Sequence, residues 1–367
     1  MRRSSAPTLQ DVADQAGVTS MVASVVLNGA KSSTRVSDTT RERILAAAER
    51  LNYRRNAVAL GLSRRQMDAI GVVSVIDVSP ELDRDDLNLY FLELLNGILE
   101  SAAECRQNVT VFTIQDWEKD EQRVIEFCDG RIDGLILIAP NMSSSLASQL
   151  PRLTPVVTIH SNDPVPHTHN LDVDNEEAAY LVVRHLIDQG HTRIMHITGG
   201  ADITGAKRRL NGYLRALSSA QIPPEKELIV EGTYSIWCGR EKMREWIESG
   251  RDLPPAIFCA NDAIAYGCME VLSAAGIPVP GRISIVGFDD TLMARTTSPA
   301  VTTIRQPFRD MGRRAVELLL EQIRNDTTIK ADGSAFAVSA PAYPVTEELP
   351  VELVVRSSVG PAPKYSE

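Results

Sequence analysis

The sequence predicts an all-α helix-turn-helix headpiece followed by a two-lobed α/β core of doubly wound parallel sheets. Three observations lead there. Residues 8–28, TLQDVADQAGVTSMVASVVLN, hold two short amphipathic periods around a glycine. From Ala69 onward, near-continuous apolar runs alternate with helical patterns, the texture of parallel strands covered on both faces. That alternation occurs twice, so two βαβ blocks, and hence two lobes, follow one another.

In the headpiece, Thr8 followed three residues later by Asp11 starts a helix with a capping box, each side chain placed to satisfy a free amide. Leu9, Val12, Ala13 and Ala16 then share one face, and Gly17 ends the helix because glycine takes the left-handed conformation cheaply. Thr19 caps a second helix with Val22, Ala23, Val26 and Leu27 on one side. Such a pair can lay its second helix in a DNA major groove, although a segment this short also suits an ordinary helical hairpin. A polar loop at 29–36 leads to SDTTRERILAAAERLNY, where Ser37 is the N-cap and Ile44, Ala48 and Leu51 mark the buried stripe of a third helix. RNAVALGLSRRQ follows, with Val58 and Leu62 on one face. Gly61 lowers its helicity by roughly 1 kcal/mol, so this segment needs support to be helical.

In the core, AIGVVSVI, NVTVFTIQ, IDGLILIAP and PVVTIHS are the first strands, with helices near 88–105 and 117–129. RIMHITGG, ELIVEG, PAIFCAND and ISIVGFDD form the second set, with helices near 204–220, 235–249 and 263–275. Residues 325–349, rich in Thr, Ala, Ser and Pro, read as a surface loop before a last strand, VELVV.

Composition narrows the function. With 367 residues, 43% hydrophobic and 23% charged, the chain suits a soluble protein of two or three domains. No apolar run approaches the ~20 residues that cross a bilayer. MRRSSAPT has no apolar segment behind its arginines and is not read as a secretory signal. Cys105, Cys128, Cys238, Cys259 and Cys268 are odd in number and form no CxxC pair, which suits reduced thiols and a cytoplasmic location. The net charge of −10 is unevenly spread: residues 1–68 carry eleven Lys and Arg against six Asp and Glu, a local +5, and the remainder carries −15. A basic headpiece on an acidic body meets the local requirement for phosphate contact. No G-x-S-x-G, P-loop or nicotinamide fingerprint occurs, so neither an enzyme, a catalytic residue nor a cofactor is expected. His167 and His169 make an H-x-H pair in a Pro-rich loop without a third ligand, and no metal site is expected. His185, His191 and His196 read as structural or surface residues.

The chain resembles the LacI/GalR family of bacterial transcription regulators. The headpiece is similar to the family pattern T-L-x-D-V-A-x-x-A-G-V-S…V-L-N, SDTTRERILAAAERLNY to its third helix, and RNAVALGL to its hinge. LNLYFLELLNGI, VDNEEAAYLVVRHLIDQGHTRI, AKRRLNGY, FCANDAIAYG, ISIVGFDD, TTIRQPFRDMG and LPVELVVRSS match later blocks in order. The resemblance implies a periplasmic-binding-protein-like sensor core, a homodimer (in some members a tetramer), and an operator of two-fold symmetry. It implies a headpiece at 1–55, a hinge helix and linker at 56–68, a first lobe from 69–170 with 302–330, and a second lobe from 171–301 with 331–367.

The same resemblance supplies site residues. DNA contacts are expected from Thr8, Thr19, Ser20, Met21, Ser24, Val25, Asn28, Arg35, Tyr53, Asn56, Ala59 and Leu62. Leu62 matches the hinge leucine that wedges into the minor groove, kinking the duplex. There are departures: Val25 replaces the usual Arg, removing a potential guanine contact worth ~1–3 kcal/mol, and either touches a thymine methyl group, as Met21 could, or packs against the headpiece core. Val22-Ala23 stands where Thr-Val is usual, Arg55 replaces a Pro, and Leu60 replaces an Arg. The operator sequence therefore does not follow from the family. For the effector, the resemblance points to Arg209, Asn261 and Asp289, with Tyr90, Phe91, Tyr234 and His160 around them. An Arg, an amide and a carboxylate suit the adjacent hydroxyls of a carbohydrate. His160 stands where an acidic contact is usual, which could favour an acidic sugar or a phosphorylated ligand. Asp262 and Asp290 are expected to be strand-end caps or surface groups. The core alone would also suit a stand-alone sugar-binding protein, or less readily an α/β enzyme. The basic headpiece and the lack of an export signal argue against the first, and the lack of a catalytic fingerprint or of a nucleophile or base partner for Asp289 against the second.

Overall fold

Thr8 opens helix α1 (Leu9–Ala16): its Oγ1 accepts from the Asp11 amide at 3.2 Å, and Asp11 Oδ2 accepts from the Thr8 amide at 2.7 Å. Gly17 closes it in the left-handed region (φ 63°), and Val18 N donates to Ala13 O at 3.0 Å. Helix α2 (Ser20–Asn28) follows, with Thr19 Oγ1 accepting from Val22 N at 3.4 Å. Ser37 caps helix α3 (Asp38–Arg50). Val12, Ala13, Ala16, Ala23, Leu27, Ile44 and Ala47 form the buried centre of this bundle. The stripe expected on α3 is thus shifted: Ala47 is buried beside Ile44, while Ala48 and Leu51 pack only partly. Asn56 then starts a helical turn, its Oδ1 accepting from Ala59 N at 3.2 Å and its carbonyl from Leu60 N at 3.0 Å.

This computed structural model describes residues 6–28, 35–56, 59–61, 66–75, 88–163, 165–330 and 345–363. Val58 and Leu62 of the hinge lie outside them. The chain divides into two units, Met1–Asp68 and Ala69–Glu367.

In the second unit the elements run β1 (Ala69–Val75), α4 (Leu89–Glu104), β2 (Asn108–Ile114), α5 (Glu121–Glu126), β3 (Gly134–Ile138), α6 (Ser144–Leu153), β4 (Val156–Ile159) and β5 (His169–Val173). They continue with α7 (Asn175–Asp188), β6 (Ile194–Ile197), α8 (Thr204–Ser219), β7 (Ile229–Val230), α9 (Ile236–Glu248), β8 (Ala256–Cys259) and α10 (Asp262–Ala274). Last come β9 (Ser284–Val286), α11 (Leu292–Thr296), β10 (Thr303–Arg305), α12 (Phe308–Lys330), β11 (Val345–Leu349) and β12 (Glu352–Val354). A parallel sheet in the order β11-β5-β4-β3-β1-β2 organises the first lobe, and one in the order β7-β6-β8-β9 the second. Helices α4 and α12 cover one face of the first sheet around Ile70, Val72, Ile136, Ile138, Met311 and Leu319. Their approach is close because Gly97 faces backbone: a Cβ there would lie 2.2 Å from the Arg309 carbonyl oxygen. The second sheet is covered on both sides, by α9 and α10 on one and by α7 and α8 on the other.

Several expectations change. The limit drawn between 170 and 171 cuts through β5, which belongs wholly to the first sheet. Residues 345–349, assigned to the second lobe and read as loop, form β11, the outer strand of the first sheet. The chain therefore crosses between lobes after β5, between β10 and α12, and between β11 and β12. His169, expected in a loop, is the first residue of β5.

One buried histidine bears on stability. His196 on β6 stacks on Phe258 with ring centroids 4.4 Å apart, and its Nδ1 donates to the Phe258 carbonyl at 3.0 Å. Burial pushes its pKa from 6.5 down to about 4, against that hydrogen bond. As pH falls, the unfolded chain binds this proton first. Its contribution to stability is whole above pH 6.5 and drains away as pH falls towards 4, with roughly 2 kcal/mol lost by pH 5. Urea unfolding at pH 7 and pH 5 should show wild type losing about that much more than His196→Gln; equal losses would mean His196 titrates normally.

Candidate functional site

The first site is the face of the headpiece around α2. Met21 is 69% exposed, Thr19 is exposed, and Ser24, Val25 and Asn28 are half-buried, with Asn28 Nδ2 donating to Ser24 Oγ at 3.2 Å. Ser20 donates to Gln10 Oε1, which ties α2 to α1. Arg35, Arg41, Arg43, Arg50, Arg54 and Arg55 are all exposed. Two expected contacts have structural duties. Thr8 is engaged in its capping box, and Tyr53 packs against the bundle core. Asn56 caps the turn that contains Ala59. Leu62 lies outside the described residues.

The second site lies between the lobes. Asn88 caps α4 through Phe91 N at 3.0 Å, which sets Tyr90 and Phe91 in its first turn. Tyr90 meets Phe308 edge to face at 5.4 Å, and its hydroxyl lies 2.6 Å from His160 Nδ1. His160 Nε2 faces Asp172 Oδ1 at 3.8 Å, so the ring proton belongs on Nε2 and Nδ1 accepts from the phenol. Burial pushes the His160 imidazole below its ordinary value despite the pull of Asp172, and Arg209 adds to the depression. The histidine is neutral at physiological pH. Asp172 Oδ1 also accepts from Asn175 Nδ2 at 3.1 Å.

From the second lobe, α8 delivers Arg209 almost fully buried. Its Nε donates to Asn175 Oδ1 at 2.8 Å and its Nη1 to the Ala260 carbonyl at 2.5 Å. The guanidinium stacks 3.6 Å over Phe288, with Tyr234 at 5.5 Å, and Nη2 stands 4.0 Å from Asp289 Oδ1. Asp289 sits just after β9 at φ 116°, and its backbone amide donates a hydrogen bond to the Ile304 carbonyl at 2.7 Å. Burial pushes its carboxyl up to about 6, opposed by Arg209 and by Gln306, whose Nε2 donates to Oδ1 at 2.7 Å. Asn261 caps α10, its Oδ1 accepting from Ile264 N at 2.9 Å, which leaves Nδ2 as its donor. His160 Nε2 and Gln306 Oε1 are buried in this region without a well-formed hydrogen bond among the described residues.

Asp262 and Asp290, expected to be strand-end caps or surface groups, are both buried. Asp262 accepts from the Thr291 amide and from the Thr291 and Thr303 hydroxyls, and burial with the neighbouring Asp289 raises its pKa above neutral. Asp290 takes hydrogen bonds from Arg305 and Arg356 and an ion pair with Arg295; these hold it ionised against its burial. Asp172, Asn175, Phe288, Gln306 and Phe308 join the cleft although sequence reasoning did not select them. Their only signal in the sequence was position: Asn175, Phe288, Gln306 and Phe308 lie within VDNEEAAY, GFDD and TTIRQPF, and Asp172 lies one residue before the first of these.

Comparison with known proteins adds two family matches: "Bacterial regulatory proteins, lacI family" over residues 8–56 and "Periplasmic binding protein-like domain" over 183–359. The HTH-type transcriptional repressor PurR of Aliivibrio salmonicida (strain LFI1238) is 32% identical over 323 residues, covering 87% of this chain and 92% of that protein. The lac repressor dimer bound to operator and the anti-inducer ONPF superposes with a TM-score of 0.77 at 28% identity, covering 96% of this chain and 99% of that one. The transcriptional regulator CelR in complex with cellobiose gives a TM-score of 0.67 at 27% identity, again over 96% and 99%.

Proposed function

The chain belongs to the LacI family of bacterial regulatory proteins, and on that premise we propose that it represses transcription as a homodimer on a two-fold symmetric operator. It is a ligand-responsive DNA-binding regulator and not an enzyme. The effector in this reading is an uncharged sugar held in the inter-lobe cleft, and the protein acts in the cytoplasm.

The observation that carries the ligand reading is the buried Arg209–Asp289 pair with Asn261 beside it, which offers donors and acceptors to adjacent hydroxyls. An acidic or phosphorylated ligand fits less well. His160 is neutral, Asp172 faces it, and two of Arg209's nitrogens already hold protein acceptors, so no excess positive charge awaits an anion. CelR is a relative in fold whose solved complex holds cellobiose, a neutral sugar. For the dimer, Leu92 and Leu99 are exposed on α4, as is Val111 on the edge strand β2. Such apolar exposure favours a partner copy, and a tetramer would need a further contact.

On DNA, Ser20, Met21, Ser24 and Val25 would read base edges, with Met21 and Val25 against thymine methyl groups. Thr8, Thr19, Asn28, Arg35 and Tyr53 would touch backbone, and Asn56, Ala59 and Leu62 would belong to the hinge in the minor groove. Footprinting on the protein's own upstream region, with and without cellobiose and a panel of neutral sugars, tests this. A protected palindrome is expected, with affinity falling steeply as salt rises. Absence of any protected palindrome, together with salt-independent binding, overturns the proposal.

A further inference from the structure

We infer that Asn162 is a positioning residue for the ligand cleft, a latch that holds the lobes closed by capping α8 from the opposite lobe. The inference rests on the cleft reading above. Helix α8 has no cap of its own, because Ile203 occupies the N-cap position and its side chain cannot accept a hydrogen bond. The missing acceptors come from the first lobe. Asn162, in the turn after β4, takes the Thr204 amide on Oδ1 at 3.1 Å, and its main-chain carbonyl takes the Thr204 hydroxyl at 2.6 Å.

The turn that presents Asn162 is well fastened. The Asn162 amide donates to the Pro140 carbonyl at 3.2 Å, the Ser161 amide to Asn170 Oδ1 at 3.1 Å, and the Ser161 hydroxyl to the Asp163 carbonyl at 2.6 Å. His160, two residues before Asn162, is in the left-handed region at φ 52°. One short turn thus carries a cleft residue at one end and the latch at the other. Across the cleft, the helix that Asn162 caps carries Arg209 five residues further on. Arg208 ties the same helix to Asp174 at 3.1 Å and Glu348 at 2.8 Å, both beside the crossovers. The crossovers are where a two-lobed core pivots, so opening preserves the Arg208 contacts and breaks those of Asn162. Opening then strips the first turn of α8 of its cap. The free protein is biased towards the closed form, and effector affinity scales with the closed fraction.

Spin labels at Ser148→Cys on α6 and Arg244→Cys on α9, both exposed positions, report lobe separation by double electron–electron resonance. The full-length protein is used, with Cys105→Ser and with neither effector nor DNA present. Asn162→Ala should add a longer-distance population and speed amide exchange in the first turn of α8 about fivefold. Asn162→Asp, which still accepts, should restore both. Faster exchange with an unchanged distance distribution would make Asn162 a helix cap only, and the latch would be wrong. Should Asn162→Ala fail to fold, Thr204→Val removes the hydroxyl contact alone and must shift the same distribution; no shift overturns the inference. Because effector and operator are absent, failure here leaves the regulatory reading untouched.

Discussion

Ile44→Ala should abolish operator binding while leaving the ligand-sensing core folded. Ile44 is fully buried in the headpiece, whose centre is otherwise Val12, Leu27 and four alanines. So little apolar bulk gives the bundle few ways to collapse around a lost side chain. An Ile→Ala change in a core costs about 2–5 kcal/mol. A unit of 68 residues, at roughly 0.05–0.15 kcal/mol per residue, holds only about 3–10 kcal/mol. The substitution therefore removes much or all of the headpiece's stability. Ala69–Glu367 is a separate unit with its own cores, so its unfolding transition should remain. Calorimetry should show the core transition unchanged and gel shift should show no specific complex. Wild-type operator affinity in Ile44→Ala would mean the bundle is not the DNA-reading element.

What could be read from the sequence depended on how local the cause was. The headpiece helices were legible because Thr8, Asp11, Gly17 and Ser37 act within four residues of themselves. Strands β1, β3 and β4 were legible because burial on both faces makes them near-continuous apolar runs. Strand β11, VTEEL, was not: it is an outer strand, exposed or half-buried along its length, and carries the polar composition of a loop. Strand β5, HNLDV, hid for a different reason. Its Asn170 and Asp172 are buried polar residues that serve the turn at 160–163 and the cleft, so its pattern reflects its partners. The cleft shows the same division. Arg209, Asn261 and Asp289 stood in recognisable blocks, but Gln306 reaches Asp289 only because the chain returns between β10 and α12, and no local spacing announces that return. The exchange of an acidic residue for His160 was visible. Its neutrality was not, since that depends on burial and on Arg209, which the fold brings in from the other lobe.

Asp289→Asn should make the regulator deaf to its effector while making the core more stable at neutral pH. The two effects have one cause. Burial pushes the Asp289 carboxyl up to about 6 from 3.8. Between those values the folded protein holds the proton more tightly than the unfolded chain does, so stability falls as pH rises through this window. Above pH 6 the wild type carries the full cost of an ionised, buried carboxylate, and below pH 4 that cost is gone. Asparagine never bears it. Its Oδ1 can still accept from Gln306 Nε2, and Asn tolerates a positive φ better than most residues, so the backbone turn is retained. Denaturation curves of the two proteins should therefore diverge at pH 7 and converge near pH 4. Ligand binding should go the other way. A hydrogen bond to a charged acceptor contributes about 1.5–3 kcal/mol, and a neutral amide beside Arg209 returns little of it to a sugar hydroxyl. Two such bonds lost or weakened lower affinity about 10²-fold or more. The variant should bind operator in the absence of effector as wild type does and fail to respond to a sugar that raises the wild-type melting temperature. A stabilised variant that still responds to the sugar would remove Asp289 from the site, and a variant that loses both stability and response would show the residue to be structural. Gain of stability with loss of response is the signature of a carboxylate kept buried for its ligand.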